Sequence, residues 1–467
     1  MRRLLNLKPV GAAVLGLLLL LAAAAHAAPA DWIWSARYLV TMDPQRRVIE
    51  NGAVAIVGDH IAAVGTRAEI DRDWQPKQRL DRPGAILTPG LINTHTHLPM
   101  SLFRGLADDL NLQDWLEHYI FPAEAKNVDA DFVRWGTRLS CLEMALSGTT
   151  TFVDMYYFED TVATTAKEAG LRGIAGETVI NFPAPDYKTP QQTLAATEKF
   201  FREFSSDPLI IPAVAPHAIY TNSEATLQAA RALADRYHRP LILHLAETKK
   251  ENEDALAKYK MTATAALDSM GVLKNWTIAA HGVWLDDADL KIIKERGVGL
   301  AHNPSSNMKL ASGIAPVVKI LALGIPMGIG TDGAASNNDQ DMMREIDLAA
   351  KLQKVATGDP RALPAEQAFA MATIIGARAI GLDRMIGSIE PGKRADLIEI
   401  SLDSAHAAPL YNVYSQLVYS LKGSDVSDVM VNGRMIVRDR KMLTLNRTAV
   451  LAKAAEYQAR VKKSVGR

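Results

Sequence analysis

The chain has 467 residues, 52 Lys and Arg against 52 Asp and Glu, 48% hydrophobic residues and one cysteine. With no basic excess to displace counterions from phosphates, the composition speaks against a polynucleotide partner. The lone Cys141 excludes an intrachain disulfide framework, a cysteine-rich zinc module and a cysteine-bound iron–sulfur cluster, so any metal must be held by His and carboxylate.

The first segment reads as targeting. Arg2, Arg3 and Lys8 form a basic head, Val10 to Ala25 is an apolar run, and Ala25-His26-Ala27 has the small-residue pattern of a cleavage site. Residues 1–27 are therefore expected to be a signal peptide that sends the protein to the periplasm or outside the cell. The apolar run is short for a membrane anchor, which needs about 20 residues in helix, so no stable membrane association is expected after cleavage.

Residues 28–88 carry short strand signals, with Val54–Val57 and Ile61–Val64 flanking the turn Gly58-Asp59-His60. The texture returns over 387–445, where Gly387–Ile400 and the segments around Asn432-Gly433 suggest hairpins. Neither flank has strands enough for its own core, so the two are expected to combine into one small β-sandwich domain that the chain leaves and re-enters. Residues 446–467 read as a C-terminal helix.

Between the flanks, over 89–386, apolar runs alternate with amphipathic stretches. Ser223 is a plausible helix cap, Ala225–Tyr237 has helical periodicity, and Pro240-Leu241-Ile242-Leu243 starts a buried strand. Eight candidate strands end near His97, Asp154, Glu177, His217, Glu247, His281, His302 and Asp332. Eight βα units over about 300 residues fit a (β/α)8 TIM barrel in the α/β class. An open doubly wound sheet fits less well, because no glycine-rich phosphate turn follows a first strand.

Of eleven histidines, six (95, 97, 217, 244, 281 and 302) sit at the expected C-terminal ends of barrel strands, the catalytic face of this architecture. A single strand histidine is as readily a hydrogen-bonded core residue as a ligand, but six on one rim point to a site. In His95-Thr96-His97 the period of two sends both rings to the same side of the strand, and two nitrogen ligands suit Zn²⁺ or Fe²⁺. With His244 and Asp332 they make three imidazoles and one carboxylate, a set that leaves a position for water. Asp332 also reads as an Asx-turn before a helix near Asn337. Glu247, three residues past His244, is placed to move a proton to a substrate ring nitrogen, although a helix N-terminal charge would look the same. His281 and His302 are candidates for orienting substrate or hydroxide, His302 in a turn-rich stretch that also suits loop bracing.

The runs Pro89-Gly90-Leu91-Ile92-Asn93-Thr94-His95-Thr96-His97, Leu102 to Leu110, His244-Leu245-Ala246-Glu247, Ala280-His281-Gly282 and Gly330-Thr331-Asp332-Gly333-Ala334-Ala335-Ser336-Asn337-Asn338 together resemble the amidohydrolase superfamily. Within it they are most similar to the methylthioadenosine/S-adenosylhomocysteine deaminases and their chlorohydrolase relatives. The resemblance spans about residues 35 to 445. It implies a mononuclear site with His95, His97, His244 and Asp332 as ligands and Glu247 and His281 handling protons. It also implies Glu124 as an acceptor for a ribose hydroxyl and His217 as a substrate contact. Binuclear members carry a bridging Lys or Glu on the fourth strand, and Leu209 to His217 contains neither.

The expected activity is metal-dependent hydrolytic deamination of an adenine nucleoside such as methylthioadenosine, adenosine or S-adenosylhomocysteine. One divalent transition metal is expected, Zn²⁺ ahead of Fe²⁺. Water would lose a proton to Asp332 or His281 and add to the amino-bearing carbon, Glu247 would protonate the ring nitrogen, and ammonia would leave. Hydrolysis of a triazine or pterin by the same residues, and an exported solute-binding module without catalysis, are the alternatives. Small-molecule heterocycles are the expected partners, and a homo-oligomer remains open. One departure bears on specificity: where nucleoside-deaminating relatives carry an Arg for the substrate's amino-acid tail, this chain has Glu177. A carboxylate there is expected to repel the tail of S-adenosylhomocysteine and favour uncharged substrates, unless Arg172 or Lys188 supplies the cation.

Overall fold

The computed structural model describes residues 27–466. The leader expected over 1–27 falls outside the described residues, apart from Ala27. Two eight-stranded sheets organise the rest.

The first sheet begins with β1 (Ala28–Val40), β2 (Val48–Val57), β3 (His60–Thr66) and β4 (Trp74–Pro89). The chain then enters the barrel, whose parallel strands are β5 (Leu91–Thr96), β6 (Thr149–Tyr156), β7 (Arg172–Val179), β8 (Ile210–Pro216), β9 (Leu241–Leu245), β10 (Thr277–His281), β11 (Gly299–His302) and β12 (Met327–Ile329). It returns to the first sheet as β13 (Leu397–Ser401), β14 (Val426–Val431), β15 (Arg434–Arg438) and β16 (Lys441–Met442).

In the barrel each strand is buried along its whole length or nearly so, as parallel strands covered by helices must be. Ile92, Val153, Ile174, Ala213, Ile242 and Ile278 fill the interior below the rim, and Ile380, Leu382 and Ile386 plug its lower end. The connecting helices follow from local signals. Ser223 accepts a hydrogen bond from the Thr226 amide at 3.2 Å and starts the helix Glu224–Tyr237, which stops where His238 turns to φ 50°. The seam between β12 and β5 is closed partly by side chains. Asn93 Nδ2 donates to Thr331 Oγ1 at 2.8 Å, its Oδ1 accepts from the Thr331 amide at 3.0 Å, and the Asp332 amide donates to the His95 carbonyl at 2.9 Å. The approach is so close that a Cβ on Gly330 would lie 2.7 Å from the His95 nitrogen, so only glycine fits.

The outer strands join in the order β16-β15-β14-β13-β4-β1-β2-β3, one continuous sheet built from both chain ends. It folds over Trp34, Val54, Ile56, Ile61, Leu87, Leu397 and Met430. Its hairpin tips meet: the Ala395 amide donates to the Asp59 carbonyl at 2.9 Å and the Gly433 amide to the Ala395 carbonyl at 3.1 Å. Asn432 and Gly433 have φ of 52° and 74°, the doubly positive geometry of a type I′ turn. The stretch Gly387–Ile400 differs from the expected hairpin. Only Leu397 onward is strand, because Gly387 and Gly392 take φ of 90° and 89° around Pro391 and the backbone turns away to meet β3.

Apolar side chains of β13 to β15, among them Ile398, Val426 and Val437, pack into the main core, and polar contacts add to them. Arg172, 1% exposed at the base of β7, donates from Nε and Nη2 to both Asp396 oxygens at 2.9 and 3.2 Å, and from Nη2 to Asn432 Oδ1 at 3.1 Å. The helix Arg447–Ser464 lies against the helices Phe121–Asn127 and Ala130–Leu146, with Tyr457 donating to Asp131 at 2.7 Å and Asn127 to Ser464 Oγ at 2.7 Å. It thereby braces the helix that carries Glu124. Removing one member of a buried, bidentate ion pair leaves the other charge without compensation. Arg172→Ala should cost about 3–5 kcal/mol, read as a lowered denaturant midpoint. An unchanged midpoint would show that the clamp contributes nothing.

Candidate active site and metal centre

The strand exits of the barrel bring most of the expected residues to one place. His95 projects from β5 and His97 from the residue just past its end, and the ring centres lie 4.9 Å apart; His244 from β9 is 5.0 Å from His95 and 5.4 Å from His97. Ligand-capable atoms of His95, His97 and Asp332 lie within 4.8 Å of one another, and so do those of His95, His244 and His281. The two triads share His95, so His281 joins the four residues of the expected ligand set in one cluster.

Hydrogen bonds on the outer side fix the rings. His97 Nδ1 donates to the Met155 carbonyl at 2.6 Å and His244 Nδ1 to the His217 carbonyl at 2.9 Å, which leaves each Nε2 lone pair facing inward. Asp332, at φ 64°, is held by three donors. The Gly333 amide bonds Oδ1 at 2.8 Å, while Ser306 and Ser336 hydroxyls bond Oδ2 at 2.6 and 3.2 Å. The bonded amide is that of the next residue rather than the one two residues on, so the expected Asx-turn is replaced by a shorter loop while Oδ1 faces the histidines.

His95 is fully buried, and neither ring nitrogen has a hydrogen-bond partner among the described residues. A buried imidazole without hydrogen-bond partners is costly, and three imidazole nitrogens beside a carboxylate are what a borderline divalent cation coordinates. The residues therefore fit a bound metal. Burial lowers the His95 pKa to about 4 against the pull of Asp332, and lowers His217 to about 3. Despite its burial, Asp332 is held well below the usual carboxylate range by His95 and His97.

A cavity opens above this cluster. Glu247 reaches it from the turn after β9, its Oε2 at 3.6 Å from His281 Nε2 and its Oε1 at 3.4 Å from Ser312 Oγ. Burial raises its pKa, with His281 opposing. His281, at φ 78°, donates from Nδ1 to Asn307 Oδ1 at 2.9 Å. Glu124 accepts from the Tyr156 hydroxyl at 2.7 Å, and burial lifts its carboxyl to about 7. His217 lines the same wall beside Tyr220. Leu112, Trp115, Leu116, Ile120, Phe121 and Leu310 supply apolar surface.

Two expectations fail. His302 is fully buried at the end of β11 and does not line the cavity, so it is not placed as a substrate contact. Burial lowers its pKa to about 3. Glu177 also points away. In β7 it is Thr178 that faces the cavity, so alternation sends Glu177 to the helix layer, where it accepts from the Glu159 amide at 3.0 Å. The repulsion expected from Glu177 has no basis in this arrangement. Arg172 is engaged at the barrel base and Lys188 donates to the Ala184 carbonyl at 2.6 Å. Among the described residues, no Lys or Arg lines the cavity.

Sequence reasoning missed Tyr156, Thr178, Tyr220, Ser306 and Ser312. Thr178 carries the period-two signal of its strand, but nothing local marks Tyr156, whose neighbours Met155 and Tyr157 also line the cavity, or the serines.

A model of the amidohydrolase family matches residues 86–436. The chain is 47% identical to 5-methylthioadenosine/S-adenosylhomocysteine deaminase 1 of Syntrophus aciditrophicus over 427 residues, 91% of this chain and 96% of that one. It is 43% identical to 5'-deoxyadenosine deaminase of Methanothermobacter thermautotrophicus, covering 87% and 94%. A zinc-bound adenosine deaminase from Xanthomonas campestris superposes with a TM-score of 0.92 at 38% identity, covering 94% of this chain and all of that one.

The ligand set generates a direct measurement. Elemental analysis should find about one divalent transition metal per chain, and His244→Ala should lose most of it. A stoichiometry near two would refute the mononuclear centre.

Proposed function

Because this chain belongs to the amidohydrolase family, we propose that it deaminates an adenine nucleoside whose 5' substituent is uncharged and apolar. The chain is a hydrolase of C–N bonds in cyclic amidines, and its site takes a divalent metal. The observation that carries the substrate reading is one cavity that joins the histidine cluster and Glu247 to the Glu124–Tyr156 pair through apolar and aromatic walls.

His95, His97, His244 and Asp332 would hold the cation, Zn²⁺ in our reading with Fe²⁺ second. When bound it supplies a Lewis acid that makes water a nucleophile near neutral pH. The chain does the rest. His281, its Nδ1–H engaged by Asn307, turns Nε2 toward Glu247 and is fitted to take the proton that water gives up. Glu247, disposed by burial to carry a proton, delivers it to the ring nitrogen as the amino-bearing carbon is attacked; His281 then passes the proton it took to the amino group, which leaves as ammonia while the hydroxyl of the adduct returns a proton to Glu247. Glu124, with one oxygen engaged by Tyr156, accepts a ribose hydroxyl through the other. His217, kept neutral by burial, contacts the base.

Specificity for an uncharged tail rests on the walls. Leu116, Ile120 and Phe121 gain from covering an apolar group, and no cation in the lining pairs with the carboxylate of an amino-acid tail. An unpaired carboxylate there should cost about 1–3 kcal/mol, about ten- to a hundredfold in kcat/KM. Ammonia release from methylthioadenosine, 5'-deoxyadenosine, adenosine, S-adenosylhomocysteine, guanine and cytosine, with chloride release from a chlorotriazine, tests both levels. Methylthioadenosine or 5'-deoxyadenosine should lead by that margin. A preference for S-adenosylhomocysteine would overturn the tail reading, and turnover of the triazine alone would overturn the nucleoside reading.

The same proposal places the mature protein in the periplasm or outside the cell. Strand β1 begins at Ala28, so cleavage after Ala27 leaves the whole outer sheet intact. Expressed in a Gram-negative host, the protein should fractionate with the periplasm and begin near Ala28 on N-terminal sequencing. A full-length N-terminus in the membrane fraction would count against it.

A further inference from the structure

After β9 the backbone makes an abrupt turn that aims Glu247 into the cavity. Ala246 takes φ 50°, a conformation L-residues seldom adopt, and both it and Glu247 leave the sheet with their amides buried. Those two amides have one acceptor. Glu251 Oε1 receives the Ala246 amide at 3.0 Å and Oε2 receives the Glu247 amide at 2.9 Å. On the other side the Ala246 carbonyl accepts from the Val283 and Trp284 amides at 3.0 and 2.9 Å.

Glu251 is the third residue of the helix Lys249–Tyr259, capped by Thr248, whose hydroxyl accepts the Glu251 amide at 3.2 Å. A glutamate at this position ordinarily folds back onto the amide of the cap residue itself. Here it reaches past the cap to the two residues before it. It is 3% exposed and forms no ion pair with Lys, Arg or His among the described residues, although Glu247 stands next to it. Burying a second carboxylate beside the first, matched only by backbone amides, is a poor way to stabilise a helix end, for which an exposed glutamate or a hydroxyl suffices. It is an effective way to hold a strained turn, because a carboxylate has two acceptors and the turn presents two donors.

We infer that Glu251 is a positioning residue for the proton transfer, acting through Glu247 by fixing the backbone turn from which the Glu247 side chain projects. The inference rests on the role of Glu247 in the proposed reaction. A misplacement of a proton donor by a fraction of an ångström weakens the transition state more than substrate binding, so kcat should suffer and KM should not.

A double-mutant cycle between Glu247→Gln and Glu251→Gln tests it, with kcat, KM, metal content and thermal midpoint measured on each metal-loaded protein. The glutamine at 251 retains one acceptor and turns an NH₂ group toward the second amide, so the turn loses one of its two ties. Glu251→Gln alone should lower kcat about ten- to a hundredfold, with KM altered less than about threefold and metal content unchanged. In the Glu247→Gln background the same change should lower kcat by less than about twofold, since a carboxamide transfers no proton whether displaced or not. Equal losses in both backgrounds, or loss of metal with Glu251→Gln, would assign Glu251 to general support and overturn the inference. Full activity of Glu247→Gln would instead overturn the proposed role of Glu247. Should Glu251→Gln fold poorly, Thr248→Ala frees the Glu251 amide and should lower kcat about threefold at constant KM. A change in KM alone would overturn the inference by that route.

Discussion

The hydrogen bond from the Asp332 amide to the His95 carbonyl joins the exit of the last barrel strand to the first. Barrel closure and site assembly are therefore the same event. Until β12 docks on β5, with Asn93 bridging to Thr331, the carboxylate of Asp332 is remote from the two imidazoles at the end of β5. Once it docks, Asp332 Oδ1 lies 3.5 Å from His95 Nε2 and 3.2 Å from His97 Nε2. Groups that would repel or go unsatisfied singly become a preformed nest for a cation, and a metal bound there would in turn hold the seam shut.

The rim also holds strained backbone. Ala246, His281 and Asp332 all have positive φ, and each stands at or just beyond a strand end that presents a chemical group. Such conformations cost about 1–3 kcal/mol each and persist only where their surroundings over-determine them. The surroundings here are specific: Glu251 holds the Ala246 turn, Asn307 holds the His281 ring, and Ser306, Ser336 and the Gly333 amide hold Asp332. Glu345 extends this support, accepting from the Ser305 amide and hydroxyl and from Asn337, so that both segments flanking Asp332 hang on one helix-borne carboxylate. Burial raises that carboxyl to about 7.

The outer sheet acts at a distance from the chemistry. It meets the barrel at the base of β7 through Arg172 and Asp396, at the end opposite the histidines. The cavity wall is instead set by the long excursion between β5 and β6, which includes Leu112, Trp115, Phe121 and Glu124 and is propped from behind by the C-terminal helix. The apolar wall thus lies in a connecting segment, while the histidine cluster sits at strand ends.

What the sequence determined by itself is what depends on spacing. The period of two in His95-Thr96-His97, the Asn432-Gly433 turn, the Ser223 cap and the order of strand ends carrying His244, His281 and Asp332 all follow from geometry within a few residues, and they were enough to place the barrel and its metal-binding face. Orientation was decided by the tertiary structure alone. Glu177 and Thr178 are neighbours, and a shift of one residue in register exchanges which of them faces the cavity. His302 ends a strand as His281 does, yet only one reaches the cavity. Glu251, Ser306 and Ser312 resemble any helix or loop residue in the sequence, because their partners are backbone amides and side chains whose placement exists only after strands distant in the chain have packed around one axis.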